Sequence, residues 1–174
     1  MESEIIQPLD ETTRHLARTF DCGNDALNNF LKDPSRLYDE SFKTWVYLTR
    51  DRETIIGYFA ISAGSLDQME EGKREKIGGS IHLDCFAIDK RFQNRRADGN
   101  ILFCDILFAE LLRLCREVQN LYIGVTFITL EATPEGKRLY ARFDFSELEE
   151  DLIFSPHAGD SFSGCKMYFV LDEV

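Results

Sequence analysis

The chain has 174 residues, enough for one domain with a full core and short for two. Apolar residues make up 44% and include 14 phenylalanines, which argues for a packed core and against a disordered chain. The formal charge of −11 and a pI near 4.7 speak against a broad phosphate-binding face, so nucleic acid is disfavoured as a partner and an amine-bearing substrate is favoured.

In chain order, residues 4–9 read as a first strand and 12–19 as a short helix. Residues 25–32 read as a second helix, with Leu27, Phe30 and Leu31 on one side, Asn24 as N-cap and Pro34 as stop. Residues 43–50 and 54–62 alternate and flank a polar turn at 51–53, which predicts a hairpin. Residues 66–79 are polar and charged and close on Gly78-Gly79, so a mobile loop is expected there. A strand follows over 80–89. Residues 98–118 predict the main helix, with only a narrow polar stripe, set deep against a sheet. Strands at 126–130, 143–148 and 166–171 and a short helix from Pro134 to Arg142 complete a mixed α/β order, a sheet covered by helices.

No apolar run approaches the roughly 20 residues that cross a bilayer. Residues 1–10 are acidic and lack a signal peptide's basic start, so a cytoplasmic location is expected. The cysteines at 22, 85, 104, 115 and 165 are odd in number and scattered. None has Cys-x-x-Cys spacing or a nearby His, so no metal site is expected and the thiols read as small hydrophobes in a reducing compartment.

Three segments resemble the GNAT N-acetyltransferase superfamily. Phe20-Asp21-Cys22-Gly23-Asn24, with Leu27, Asn28, Phe30 and Leu31, is similar to the opening of the GNAT toxins of toxin–antitoxin pairs. Phe86-Ala87-Ile88-Asp89-Lys90-Arg91-Phe92-Gln93 resembles the strand and turn that lead into the coenzyme A loop. Lys137 to Phe145 resembles the late helix, with Asp144 in place of a glycine. The resemblance implies a single GNAT domain over 1–174, with a mixed, mostly antiparallel central sheet flanked by helices. It implies an N-acetyltransferase that moves an acetyl group from acetyl-CoA to a primary amine of a small molecule or protein. Members are often homodimers, and the strand at 166–171 offers an edge for such pairing.

Acetyl transfer needs a neutral amine, a polarised thioester carbonyl and a proton for the leaving thiolate. The resemblance assigns the main chain of Phe86, Ala87 and Ile88 to the thioester arm and Tyr140 to the general acid. The coenzyme A pattern, Gln/Arg-x-x-Gly-x-Gly/Ala, falls on Gln93, Asn94, Arg95, Arg96, Ala97 and Asp98, with Gly99 one place late. Arg96 and Asp98 stand where small residues belong. Lys90, Arg91, Arg95 and Arg96 form a basic cluster that attracts phosphate, whereas Asp98, as N-cap of the main helix, would occupy the N–H groups a pyrophosphate uses. Asp84, Glu131, His82 and His157 are candidates for a general base, and none is selected by the sequence.

Two alternatives accompany this reading. A toxin-like enzyme would acetylate aminoacyl-tRNA, and a GNAT-fold binding or regulatory module would have lost coenzyme binding through Arg96 and Asp98.

Overall fold

The computed structural model describes residues 5–154 and 164–171. The elements are β1 (Ile5–Pro8), a 3-10 turn (Arg14–Thr19), α1 (Asp25–Lys32), a second 3-10 turn (Pro34–Leu37), β2 (Lys43–Leu48), β3 (Ile55–Glu70) and β4 (Lys73–Ile88). They continue as β5 (Arg96–Asp98), β6 (Ile101–Leu102), α2 (Phe103–Leu121), β7 (Phe127–Ala132), α3 (Lys137–Arg142), β8 (Ser146–Glu147), β9 (Leu152–Phe154) and β10 (Cys165–Val170). The ladder between β4 and β7 is parallel, and those of β1 with β2, β2 with β3, and β10 with β7 are antiparallel, which is the mixed α/β sheet expected. No described helix is long and apolar enough to cross a membrane. The chain divides into two compact units.

The first unit holds Met1–Ile61 and Cys85–Arg113. Its strands run in the order β1-β2-β3-β4, with Ile5 opposite Leu48 and Lys43 opposite Ile61. Phe20, Leu31, Val46, Tyr58, Ala60, Cys85 and Ala87 form a buried cluster, each such side chain worth about 1.5–3 kcal/mol when fully buried. Phe20 meets Tyr58 edge to face at 5.5 Å, and the Tyr58 hydroxyl donates to the Leu27 carbonyl at 2.7 Å. This fixes α1 on the cluster. Asn24 caps α1 as its side chain predicts, accepting from the N–H of Ala26 and Leu27. Gly57 is required by close approach, since a Cβ there would lie 2.6 Å from Ile88 Cδ1 and 2.8 Å from the Ala87 carbonyl oxygen.

The main helix starts at Phe103, not at residue 98. Residues 96–102 form a small hairpin instead, in which Arg96 faces Leu102, Asp98 faces Ile101, and Gly99 turns the chain at φ +49°. The apolar pair Ile101-Leu102 fits a helical period, but the Asp-Gly turn before it decides the conformation.

The second unit holds Ser62–Asp84 and Leu114–Val174. Its strand order is β3-β4-β7-β10-β8, with β9 on β3. The mobile loop expected over 66–79 is absent: β3 continues to Glu70, Glu71 and Gly72 turn at φ +49° and +76°, and β4 begins at Lys73. The one buried charge there is paired, and the others are exposed. Asp67 is buried and paired with Arg74, and Gln68 donates to Asp151 at 2.7 Å. Leu66 packs with Phe127 and Phe154, and β9, a strand the sequence did not reveal, pairs with β3 from Leu66 to Gln68. The strand expected at 143–148 shortens to Ser146–Glu147, since Asp144 sits at φ +64°. β10 pairs with β7 from Cys165 to Val170, and β8 covers its other side at Met167 and Tyr168. That edge is therefore partly closed to another copy. His157 lies outside the described residues.

Candidate functional site

In the first unit the site is the end of β4 and the turn after it. The N–H of Asp89 donates to the Ile56 carbonyl on β3 at 2.9 Å. Strand alternation then points the N–H of Ala87 toward β3 and those of Phe86 and Ile88 toward the opposite edge. The parallel ladder with β7 has its last pair at Leu83 and Leu130, so residues 84–88 lie beyond it.

The segment 20–24 is tied to this strand end by a set of hydrogen bonds. Asp89 is 1% exposed and accepts from the Asp21 N–H at 3.0 Å, the Arg91 N–H at 2.9 Å and two atoms of the Arg91 guanidinium at 2.8 Å. Burial pushes its carboxyl upward, but the Arg91 side chain, the Arg91 N–H and the Asp21 N–H outweigh burial and hold it below the usual carboxylate range. Asp21 returns a bond, its carbonyl accepting from the Lys90 N–H at 2.8 Å, and its carboxylate pairs with Lys90 Nζ at 3.0 Å. The Lys90 ammonium, with the Gly23 N–H and the Asn28 amide, brings the Asp21 carboxyl to about 2. Gly23 is held at φ +88°, and a Cβ there would lie 3.0 Å from Lys90 Cε. The toxin-like motif therefore has a structural meaning in this chain: Asp21, Gly23 and Asn28 position the turn after β4. The sequence does not show that role, because it arises from bonds between residues 68 and 69 positions apart.

Within the turn, Gln93 donates its side-chain amide to the carbonyls of Ile88 and Cys22, both at 2.8 Å. Its side chain is thus engaged with backbone. Asn94 takes φ +56°, the left-handed conformation that glycine favours. The left-handed positions are 94 and 99, whereas Arg96 and Asp98, where the pattern placed small residues, are in β5. Asp98 does not cap the main helix. It is exposed on the hairpin, and Asp105 accepts from the Leu102 N–H at 3.3 Å while the Arg95 carbonyl accepts from the Phe103 N–H at 3.3 Å. The basic cluster divides in two. Lys90 and Arg91 are paired with Asp21 and Asp89, and the side chains of Arg95 and Arg96 are exposed with no ion pair to a described residue. Ala97 lies half-buried between them and Asp98.

In the second unit Tyr140 is buried, its ring 6.0 Å from that of Phe145 and packed over Gly136, where a Cβ would lie 3.2 Å from Tyr140 Cε2. The Tyr140 carbonyl accepts from the N–H groups of Phe143 and Phe145, closing α3. Asp144, which replaces a glycine of the late-helix pattern, adopts the left-handed conformation in that closure. His82 is buried, within 2.9 Å of the Thr129 hydroxyl and 5.1 Å from the Phe154 ring, which marks it as structural. Asp84 and Glu131 are half-buried and each directly follows a member of the last β4–β7 pair. None of the five cysteines forms a disulfide, and burial pushes the Cys115 thiol up to about 12. Among the described residues no group of three His, Cys, Asp or Glu is placed to hold a metal.

No protein-family model and no curated protein matches the chain. Solved structures do. A KacTA–DNA complex is similar with a TM-score of 0.67 and 26% identity, over 88% of this chain and 93% of that one. AtaTR bound with AcCoA gives a TM-score of 0.71 at 20% identity, over 98% of this chain and 95% of that one. AtaT complexed with acetyl-methionyl-tRNAfMet gives 0.66 at 22% identity, over 88% of this chain and 95% of that one. KacT and AtaT are GNAT-fold toxins of toxin–antitoxin pairs. The likeness spans 88–98% of this chain, so this chain has the GNAT fold, in the form found in those toxins.

Proposed function

We propose that the chain is an N-acetyltransferase that uses acetyl-CoA, and that its acceptor is the α-amino group of an aminoacyl-tRNA. The observation that carries the reading is the end of β4, where residues 84–88 lie beyond the last pair with β7 and the N–H groups of Phe86 and Ile88 point away from β3. The likeness to AtaTR bound with AcCoA and to AtaT with acetyl-methionyl-tRNAfMet supports the coenzyme and the acceptor class.

The residues present fit the coenzyme. Phe86 and Ile88 offer backbone donors for its arm and for the acyl carbonyl. Ala87, whose N–H faces β3, contributes packing instead. Asn94 supplies the left-handed turn, and Arg95 and Arg96 supply two guanidinium groups for phosphate. Phosphate recognition in this chain therefore falls to those side chains and not to the first N–H groups of α2. When bound, the coenzyme supplies an activated acyl group. The chain's own work is to polarise the carbonyl through the Phe86 and Ile88 N–H groups and to deliver the Tyr140 hydroxyl proton to the leaving sulfur. Asp84 or Glu131 takes one proton of the ammonium, directly or through water; the neutral nitrogen then bonds to the acyl carbon as the bond to sulfur breaks, and its second proton restores the Tyr140 hydroxyl.

The test is transfer of label from radiolabelled acetyl-CoA to bulk aminoacyl-tRNA. The expected product is an N-acetylated amino acid released on alkaline hydrolysis. Label on small amines but none on aminoacyl-tRNA would overturn the acceptor, and no calorimetric binding of acetyl-CoA would overturn the enzyme and leave a binding module.

A further inference from the structure

The sequence shows one contiguous basic cluster, at 90–96, but the fold builds a second by bringing Lys32 beside Arg14 and Arg18. The 3-10 turn Arg14–Thr19 and the end of α1 enclose a recess of about 320 Å³ lined by Arg14, His15, Arg18 and Lys32, with Ala17 and Pro34 as apolar walls. Its volume lies at the small end of ligand-binding clefts. Arg18 and Lys32 are exposed and hold no ion pair with a described residue. Arg14 meets Glu11 only at 3.6 Å, with side chains 40% and 60% exposed, a pair that contributes little. Glu11 is also engaged by the Tyr38 hydroxyl. Asp33, next to Lys32, is turned toward the following turn, where it accepts from the Ser35 N–H at 2.9 Å and meets Arg36 at 3.6 Å.

Three cations around a recess in a chain of net charge −11 mark a place where an anion is attracted although most of the surface repels it. Guanidinium forks fit a phosphate by two parallel hydrogen bonds, and the lysine adds a point charge. The recess also connects to the coenzyme turn within the same unit. Arg18 is followed by Thr19, whose carbonyl accepts from Arg91 at 3.5 Å, and then by Asp21, bonded to Asp89 and Lys90. A phosphate bound here is anchored a few residues from the turn that handles the coenzyme.

We infer that Arg14, Arg18 and Lys32 form a seat for a backbone phosphate of the RNA acceptor, an inference that rests on the aminoacyl-tRNA reading and names the surface that reading requires. The test compares the wild type with the double variant Arg18→Ala/Lys32→Ala, by fluorescence anisotropy with labelled tRNA from about 50 to 200 mM salt. The expected result is a loss of about tenfold or more in tRNA affinity and a fall of about two in the slope of log affinity against log salt. Acetyl-CoA affinity, read by calorimetry, stays at the wild-type value and shows that the variant is folded. Arg18→Lys/Lys32→Arg keeps the charges and should retain the wild-type slope. Wild-type tRNA affinity and slope in the alanine variant would overturn the seat while leaving the acceptor standing. A wild-type protein that binds no tRNA would overturn the acceptor, and the seat with it.

Discussion

Gln93 donates its side-chain amide to the Ile88 carbonyl at 2.8 Å, so the turn after the central strand folds back onto the strand's own end. A second bond from the same amide, to the Cys22 carbonyl, ties in the segment before α1. Gln93→Ala removes both. At about 0.5–1.5 kcal/mol net for each bond, the expected loss is about 1–3 kcal/mol, read as a lower urea midpoint at unchanged slope. Because Asn94 to Arg96 follow directly, acetyl-CoA affinity should fall as well. An unchanged midpoint would show that the two carbonyls are satisfied otherwise.

The pairing of Asp21 with Lys90 gives the fold a definite acid limit. The folded-state carboxyl of Asp21 is at about 2, below its ordinary 3.8, and that of Asp89 is also lowered. A lowered carboxyl contributes stability above its unfolded value, and that contribution is lost as pH falls toward the folded value. Stability to urea should therefore be level from pH 7 to about 5 and should fall between about pH 4 and 2. Asp21→Asn should flatten part of that fall. A variant with the wild-type acid profile would show that the pair does not operate in solution.

The sequence made the local devices legible. Asn24, three positions before Leu27 and ten before Pro34, located α1 and its cap, and the alternation over 43–62 located β2 and the first half of β3. It also located Tyr140 on its helix. It failed where long-range compensation decides: 66–79 looks like loop until Arg74 is seen to neutralise Asp67 and Phe154 to cover Leu66. The start of α2 was misplaced because Ile101 and Leu102 satisfy a helical period as well as a two-residue strand. The second basic group was invisible because Lys32 joins Arg14 and Arg18 only through the packing of α1 beside the 3-10 turn.

Asp144 adopts φ +64° where the late-helix pattern carries glycine. A non-glycine residue in that region carries strain of about 1 kcal/mol or more, which Asp tolerates better than most. Asp144→Gly should be neutral to stabilising by up to about 1 kcal/mol, the strain relief being partly offset by glycine's extra unfolded-state entropy. Asp144→Val should cost about 1–3 kcal/mol. Thermal unfolding of the two variants separates these outcomes, and a stable valine variant would disprove the strain.

Tyr140→Phe keeps the ring that packs on Phe145 and Gly136 and removes only the hydroxyl. If that hydroxyl protonates the leaving sulfur, kcat should fall by about 100-fold or more, with acetyl-CoA affinity and unfolding midpoint near wild type. Loss of stability at full kcat would instead mark Tyr140 as a packing residue.

Arg95 and Arg96 should replace with side chains what a glycine-rich loop supplies with backbone, and a side-chain charge differs from a backbone N–H in its response to salt. Acetyl-CoA affinity should weaken as salt rises, and Arg95→Ala/Arg96→Ala should lower it by about tenfold or more and remove most of that dependence. Asp98 lies exposed in the same hairpin, where its charge would oppose the phosphates of a bound coenzyme. Asp98→Asn should therefore strengthen binding at low salt, by about threefold, and change little at high salt where exposed charges are screened. Calorimetry at two salt concentrations reads all three proteins. Salt-independent binding that survives the double alanine variant would return phosphate recognition to the backbone, with Asn94 as its turning residue.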